Sequence, residues 1–266
     1  MVREKEKQHY IPQFYLKLFS PEERGNYVYC YDKENNKSFR TSIRKICYEI
    51  GFYENEHKNN KPIEETFSFA ERECSILFNK VIDAEDLSVL NMSEFSGLIV
   101  CLLLFKQRTR KRRDIVRSAR EIWIKRINDR FSDWRVVPKF DNWERNDHLL
   151  SMVETTKEEL KMLCKNNWEL IINKTKIPFW TSDDPLIRQL VYNDKRFGKP
   201  YVKNYFLLTP RMLMHSEPLF FSNNIKLYKT EITSENVIKN LNRLTLKNAH
   251  RFVISRNNDF FTNICK

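Results

Sequence analysis

The spacing of hydrophobic residues changes twice along the chain. Tyrosines occupy every second position in residues 26–32 (NYVYCYD), and a turn-forming segment, KENNK, leads into SFRTS. This pattern predicts a β-hairpin. From Pro62 to about residue 165, apolar side chains recur at intervals of three and four, which predicts a block of helices. Strand-like patterns then return in five segments: NWELIINK, IPFWTSDDPLI, YFLLTP, IKLYKTEI and RFVISR.

Local signals mark several helix boundaries. Pro62 and the acidic pair after it suit a helix N-terminus. Asn91, followed three residues later by Glu94, has the pattern of a capping box. We expect the helix that begins there to continue for about forty residues with a break near Thr109. A further helix is expected over about 147–164, and SENVIKNLNRLTLKNAH predicts one more near the end.

These elements predict a single α+β domain over residues 1–266. A mixed or antiparallel sheet is expected from the β-rich parts at about 8–60 and 166–266, and the helices form a large central insertion at about 62–165. Residues 55–62 are expected to form a loop. NWELIINK and IPFWTSDDPLI should pair with each other, because only a tight turn separates them.

Cysteine usage and the N-terminus favour a cytoplasmic protein. The six cysteines include no CxxC pair, so reduced thiols are expected. The charged, polar N-terminus lacks the pattern of a signal peptide. The longest apolar run, LIVCLLLF, is too short to cross a bilayer. The oligomeric state stays open, and a homodimer is one of the alternatives.

The chain carries a net charge of +12, and most of it lies in one segment. Residues 106–126 hold ten Lys and Arg against two acidic residues, a local charge of +8. Such an excess favours a polyanionic partner, with RNA preferred over DNA and an anionic membrane surface as a further choice. The alternative is a solvated basic surface. With only four glycines and no glycine-rich phosphate loop, a doubly wound nucleotide-binding fold is disfavoured.

The segment HYIPQFYLKLF near the start combines an imidazole with an aromatic anchor. Pro12 restricts the backbone just after His9 and Tyr10. His9 could act as general acid or base, with Tyr10 and Gln13 positioning a substrate. In the alternative interpretation, His9 bonds a backbone carbonyl and pins the N-terminus.

The apolar stripe of the helix predicted to begin near Asn91 extends to two arginines. Leu98, Leu102 and Phe105 define the stripe, and helical spacing places Arg108 and Arg112 on its continuation. A buried guanidinium needs an anionic partner. The partner is either an internal carboxylate or a bound phosphate. The carboxylates considered are Glu73 and Asp183.

The neighbouring residues are given simpler roles. Arg110, Lys111 and Arg113 are expected on a solvated basic face, or in phosphate contacts without specificity. An apolar face is expected to resume further along the same helix. Its members are Ile115, Ala119, Ile122 and Trp123.

The segment WTSDDP ends a strand with polar residues. Thr181, Ser182 and Asp183 can shape a tight turn before Pro185, or form part of a site. Asp183 could hold Mg²⁺, orient His9 or pair with Arg108. Asp184 is interpreted as a turn residue, and no secure metal site is expected because neighbouring strand residues face opposite ways.

Three segments together resemble the uncharacterised family called domain of unknown function 4238: HYIPQFYLKLF, QRT after the apolar helix, and FWTSDDP. The resemblance spans nearly the whole chain and includes AHRFVIS near its end. It implies no particular activity, and the basic helix is richer in Arg than the family pattern requires. It implies that eight residues belong to that pattern: His9, Tyr10, Pro12, Arg108, Thr181, Ser182, Asp183 and Pro185.

The favoured function is an enzyme that acts on nucleic acid, ribonuclease-like, and of the kind found in toxins and defence effectors. Its expected catalytic residues are His9, Arg108 and Asp183, and Mg²⁺ is an optional cofactor. The expected substrate-binding residues are Tyr10, Gln13, Gln107, Arg110, Lys111, Arg112, Arg113, Thr181 and Ser182. Two alternatives remain: a non-catalytic nucleic-acid-binding module, and a protein that binds a nucleotide or small anion between the helical block and the sheet, with Arg108 holding the phosphate or carboxylate.

The nuclease hypothesis predicts cleavage of labelled tRNA or single-stranded RNA by the purified protein. His9→Ala and Asp183→Ala should each abolish cleavage and leave the fold intact. The assay is run with and without Mg²⁺, and cleavage retained in both variants would remove the hypothesis. Salt-sensitive binding without cleavage would favour the binding module.

Overall fold

The structure is a computed structural model of the chain. It describes residues 7–52, 61–130, 143–192, 194, 198–219 and 226–260, with the backbone alone for 61–64, 143–150, 152 and 153. Residues 53–60, which hold most of the loop predicted at 55–62, lie outside the described residues.

Within that part of the chain, helices alternate with strands in three blocks. The helices are α1 (Gln13–Lys17), α2 (Lys61–Ala84), α3 (Met92–Gln107), α4 (Arg110–Arg130), α5 (Trp143–Leu163) and α6 (Glu235–Asn248). The strands of the N-terminal block are β1 (Lys7–His9), β2 (Tyr27–Asp32), β3 (Lys37–Ser42) and β4 (Tyr48–Ile50). The strands of the C-terminal block are β5 (Asn166–Asn173), β6 (Thr181–Ser182), β7 (Leu186–Val191), β8 (Tyr201–Thr209), β9 (Met212–Pro218), β10 (Leu227–Ile232) and β11 (Phe252–Ser255).

The described strands form three sheets. The largest has the order β10-β5-β9-β8-β7 and is mixed, because β10 runs parallel to β5. A four-stranded antiparallel sheet has the order β3-β2-β11-β6, and β1 pairs with β4. These findings confirm the α+β class, with the helical block between N- and C-terminal strands. In the four-stranded sheet, Phe252 lies opposite Asp32, so strands from both ends of the chain meet there.

The predicted pairing of NWELIINK with IPFWTSDDPLI is wrong. Strand β5 lies between β10 and β9, whereas β6 pairs with β11 of the other sheet. The reason lies in the connection after β5. The Asn173 side chain donates through Nδ2 to the Ile177 carbonyl at 2.7 Å, and its Oδ1 accepts from the Thr175 backbone amide at 2.9 Å. These hydrogen bonds stabilise a local turn that directs the chain away from β5.

The predicted helix boundaries in the central block are confirmed. The Asn91 side chain accepts from the Glu94 amide, and the Glu94 carboxylate accepts from the Asn91 amide, as a capping box requires. The break near Thr109 is also present, since α3 ends at Gln107 and α4 begins at Arg110. The Thr109 hydroxyl accepts from the Arg112 amide at 3.2 Å and so caps the new helix.

The core is centred on Tyr15 of the aromatic opening segment. Its ring is fully buried, and the ring centroid lies 4.9 Å from that of Phe105 on α3 and 5.4 Å from that of Phe206 on β8. Its hydroxyl donates to the Leu207 carbonyl at 2.6 Å and accepts from the Thr181 hydroxyl at 2.6 Å, because a carbonyl can only accept. One side chain therefore joins α1, the helical block and both larger sheets.

The expectation of reduced thiols is wrong for one pair of cysteines. Cys74 on α2 and Cys101 on α3 form a disulfide, with their Cα atoms 5.5 Å apart. The two helices pack against each other, which brings these positions together. Cys30 and Cys47 are free and buried, and Cys164 is free and half-buried. Cys265 lies outside the described residues.

Tyr15→Phe tests the importance of this hydroxyl. We expect the free energy of unfolding to fall by about 1–3 kcal/mol, because the Thr181 hydroxyl and the Leu207 carbonyl lose a buried partner. Chemical denaturation measures the change. Tyr228→Phe, at an exposed position of β10, is the matched control and should change stability by less than about 0.5 kcal/mol. Equal stabilities of Tyr15→Phe and the control would contradict the assignment.

Candidate functional site

His9 lies on β1 with its ring partly enclosed. Its ring centroid is 5.7 Å from that of Tyr48 on β4, and the Gln13 amide nitrogen is 3.3 Å from Nδ1. Nε2 is buried and has no hydrogen-bond partner within the described part of the chain. Burial lowers the pKa of His9, although the backbone of Ile43 and the carboxylate of Glu71 oppose that change. The imidazole is therefore held mainly in its neutral form near pH 7.

Arg108 points inward, as its place in the apolar stripe predicted, with only 5% of its surface exposed. Its Nη1 donates to Glu71 Oε1 at 2.7 Å and its Nη2 to the His9 carbonyl at 2.8 Å. The predicted pairing of Arg108 with Glu73 or Asp183 is therefore wrong. Residues two apart on a helix point in very different directions, so on α2 Glu71 faces Arg108 while Glu73 is exposed. The guanidinium thereby ties β1 to the helical block.

Asp183 is buried and all of its described hydrogen bonds go to backbone amides. Oδ1 accepts from His250 at 2.9 Å, and Oδ2 accepts from Arg251 at 2.8 Å and from Phe252 at 3.0 Å. Burial raises the pKa of Asp183, and the hydrogen bonds from Phe252 and Arg251 oppose the shift. The carboxylate closes the turn into β11. Among the described contacts, none joins Asp183 to His9, so its predicted catalytic role has no supporting geometry.

Four of the predicted substrate-binding residues are buried and already bonded. Tyr10 packs its ring 5.6 Å from that of Phe52. Thr181 bonds Tyr15, as described above, and the Ser182 hydroxyl donates to the Asp184 carbonyl at 2.9 Å. Gln107 donates to the Thr155 hydroxyl on α5 at 2.7 Å. These side chains are buried and make their contacts within the fold, and their role in substrate binding stays a prediction. The four are Tyr10, Gln107, Thr181 and Ser182.

The first turn of α4 was expected to form a solvated basic face, but its cations are paired. Arg110 Nε donates to Glu49 at 2.9 Å, and Arg113 donates to both oxygens of Glu49 at 3.0 and 2.8 Å. Burial alone would raise the pKa of Glu49, but Arg113 and Arg110 outweigh it and the pKa is lowered. This cluster binds α4 to β4.

Lys111 connects α4 to the other side of the molecule. Its ammonium donates to Asp184 Oδ2 at 2.7 Å, and to the carbonyl and side-chain oxygens of Asn248 at 2.8 and 3.1 Å. Asp184 is therefore more than a turn residue: it is buried and ion-paired. The three hydrogen bonds match the donor capacity of a lysine.

The apolar face predicted for the rest of α4 is exposed instead of buried. Ile115, Ile122 and Trp123 all present about half or more of their surface, with Trp123 59% exposed. Helix α4 packs on α5, and its buried residue is Ile124. Ile124 follows Trp123 by 100° around the helix, so the buried side of α4 differs from the predicted stripe.

A cleft of about 210 Å³ lies between the start of α4, strand β7 and the end of α6. We call it the basic cleft. Its polar lining consists of Lys106, Thr109, Lys111, Arg112, Asp184, Arg188 and Asn248. Glu159 of α5 pairs with Lys106 and, at 3.1 Å, with Arg188. Four cations against the two carboxylates, Asp184 and Glu159, leave a net charge of +2.

Arg112 lines this cleft and has one N–H donor without a partner among the described residues. Its Nη2 donates to the Ser151 hydroxyl at 2.9 Å, while its Nε is buried and has no partner among the residues that the structure describes. Burial lowers the pKa of Lys106, and Glu159 opposes the shift. The site thus combines four cations, and one of them, Arg112, has a buried donor without a partner among the described residues.

A second cavity, of about 310 Å³, adjoins the first. We call it the apolar cavity. Its apolar lining consists of Leu103, Met162, Leu163, Leu186, Pro200, Tyr201, Val202 and Pro218. It shares Lys106, Leu186 and Arg188 with the basic cleft. Two buried amides, Asn166 and Asn204, and two further charged residues, Glu159 and Lys199, also line it.

Sequence reasoning found only part of this site. Lys111 and Arg112 were among the candidates, whereas Arg188, Glu159 and Asn204 were not. Arg188 and Asn204 are single polar residues on strands β7 and β8, and no local spacing distinguishes them. The one available signal was Arg112, which extends the apolar stripe of α3 in the sequence.

In the described ranges, no three His, Cys, Asp or Glu side chains are grouped so that they could hold a metal ion. None of the described helices combines the length and apolar character needed to cross a membrane.

The protein has an α+β fold, and a basic cleft of about 210 Å³ lies beside the helical block, strand β7 and the end of α6. The chain belongs to the family of proteins of unknown function DUF4238, whose family model matches residues 7–259. This match confirms the resemblance seen in the sequence. Comparisons with curated proteins and with solved structures found no match.

Asp183→Asn separates a structural from a chemical role of this residue. We expect the free energy of unfolding to fall by about 3 kcal/mol, because the uncharged amide weakens several buried hydrogen bonds to a carboxylate. Thermal and chemical unfolding measure the loss. The exposed Asp83→Asn is the control and should change stability by less than about 0.5 kcal/mol. Full stability of Asp183→Asn would contradict the structural role.

Proposed function

We propose that this protein binds a phosphate-type anion, carried by a nucleotide or another phosphorylated small molecule, in the basic cleft. The observation that carries the proposal is the group of cations around a ligand-sized cleft, with a buried Arg112 Nε that has no partner among the described residues. This corresponds to the third function considered from the sequence, a nucleotide or small-anion site between the helical block and the sheet.

The cations divide into two groups by their existing bonds. Lys111 already has three acceptors, so it holds Asp184 and Asn248 in place and is not expected to bind the ligand. Arg112 and Arg188 have planar guanidinium groups, which suit the bidentate recognition of phosphate oxygens. Lys106 adds a point charge between the two cavities.

Glu159 limits the charge that the cleft offers. Its carboxylate bonds Lys106 and Arg188, so a bound anion would share these cations with it. The net charge of +2 is still favourable for a phosphate monoester, which carries about −1.5 to −2 at pH 7. A buried, unsatisfied donor costs about 1–3 kcal/mol, and an anion oxygen at Arg112 would recover part of that cost.

A ribonuclease-like activity, and with it a role as toxin or defence effector, stays a prediction. Its three expected catalytic residues have described contacts that tie segments of the fold together, as shown above for His9, Arg108 and Asp183. Much of the basic segment is likewise paired with carboxylates, which reduces the charge available to RNA. Anion binding therefore has more support in the geometry than phosphodiester cleavage.

Arg112→Gln and Arg188→Gln test the proposal by isothermal titration with inorganic phosphate and pyrophosphate. We expect wild-type affinity to fall as salt rises, and each variant to bind about tenfold more weakly or worse, because a charge-assisted hydrogen bond contributes about 1.5–3 kcal/mol. The control is Arg243→Gln on the exposed side of α6, which changes the net charge by the same amount.

Two results would overturn the proposal. One is an absence of anion binding by the folded wild-type protein. The other is an equal loss of affinity in Arg243→Gln, which would assign the effect to net charge. Labelled RNA is assayed in parallel with His9→Ala, and cleavage that depends on His9 would favour the nuclease hypothesis instead.

A further inference from the structure

One residue that lines the apolar cavity has a buried acceptor without a partner among the described residues. Asn204 on β8 is only 2% exposed and lines this cavity. Its amide nitrogen donates to the Ser216 hydroxyl oxygen at 3.1 Å, and the Asn166 amide donates to the same oxygen at 3.1 Å. Asn204 Oδ1 has no hydrogen-bond partner in the described part of the chain. Ser216 thus binds the nitrogen of the Asn204 side-chain amide, and the oxygen of that amide has no partner among the described residues.

This acceptor restricts what the cavity can take. A buried polar atom without a partner is uncommon in folded proteins and is costly. An alkyl chain has no hydrogen to donate, and a phosphate oxygen would be repelled by the carbonyl oxygen. A flat ring with an N–H group satisfies both the apolar walls and Asn204. A nucleobase has this chemistry.

The two cavities are close enough for one ligand to occupy both. They share Lys106, Leu186 and Arg188 as common walls. Arg112, with its buried donor, lines the basic cleft, and Asn204, with its buried acceptor, lines the apolar cavity. A cavity of about 310 Å³ is also within the usual range for small-ligand sites.

We propose that the ligand is a nucleoside phosphate, whose phosphate lies in the basic cleft and whose base lies in the apolar cavity. A ring or exocyclic N–H of the base donates to Asn204 Oδ1. Lys106 and Arg188 lie at the junction, beside the sugar and its phosphate. This inference rests on the proposed anion site and names the class of molecule that brings the anion. The nucleotide is either free or the end of an RNA strand.

The experiment compares AMP, GMP, CMP and UMP with ribose 5-phosphate, which carries the same phosphate without a base. Isothermal titration of the wild-type protein is expected to give about tenfold tighter binding for at least one nucleotide than for ribose 5-phosphate. A 5′-phosphorylated tetranucleotide RNA is measured alongside. Whichever binds more tightly, mononucleotide or RNA, identifies the source of the base.

Two variants locate the base. Asn204→Ala should remove the nucleotide preference and leave the affinity for ribose 5-phosphate unchanged. Because Asn204 is buried and its loss could unfold the protein, Met162→Trp is the second variant, at an exposed position on the wall of the apolar cavity. The larger ring should exclude the base and spare ribose 5-phosphate. Met92→Trp, also exposed but on α3 away from the cavity lining, is its control.

The outcomes separate this inference from the proposed function. Ribose 5-phosphate that binds as tightly as every nucleotide would overturn the base site and leave the anion site standing. A nucleotide preference that survives both Asn204→Ala and Met162→Trp would also overturn it. No binding of any phosphate compound would overturn the anion site and this inference together.

Discussion

The burial of Tyr15 is the constraint on which the arrangement of the helical block depends. Its ring packs on Phe105 and Phe206, and its hydroxyl forms hydrogen bonds with residues of both larger sheets. Phe105 is three residues before Arg108, near the end of α3, so the contact with Tyr15 holds that end of the helix against both larger sheets. The α3–α4 junction, where the Thr109 hydroxyl caps α4, and the basic cleft beside it lie next to this packed end.

The charge of the basic segment is then used mainly inside the molecule. Glu71, Glu49 and Asp184 each take one or two cations, and these pairs join the segment to α2, to β4 and to the turn between β6 and β7. Half-buried ion pairs of this kind contribute modestly to stability but fix geometry when several elements converge. The local charge of +8 therefore overstates the charge that remains for a partner. Arg112 keeps a buried donor that has no partner among the described residues.

Sequence reasoning succeeded where the information was local. The capping box at Asn91, the break at Thr109 and the inward direction of Arg108 all depend on spacing within one helix. It failed where two segments had to be placed against each other. The choice of Glu71 over Glu73 depends on the rotation of α2, and the pairing of β6 with β11 depends on a turn that Asn173 stabilises. The residues of the two cavities could not be grouped from the sequence for the same reason, since Arg188 and Asn204 lie far from Arg112 along the chain.

The chemistry of the two cavities is complementary in a way that limits the ligand. Among the described residues, Arg112 Nε has no acceptor and Asn204 Oδ1 has no donor, and Lys106 and Arg188 are shared by the two cavities. Because Glu159 compensates part of the positive charge, the site suits a dianion better than a highly charged polyphosphate, which would meet that carboxylate. A single molecule that satisfies all these groups must have an anionic end, an apolar ring and an N–H donor on that ring. A nucleoside monophosphate meets each of these conditions.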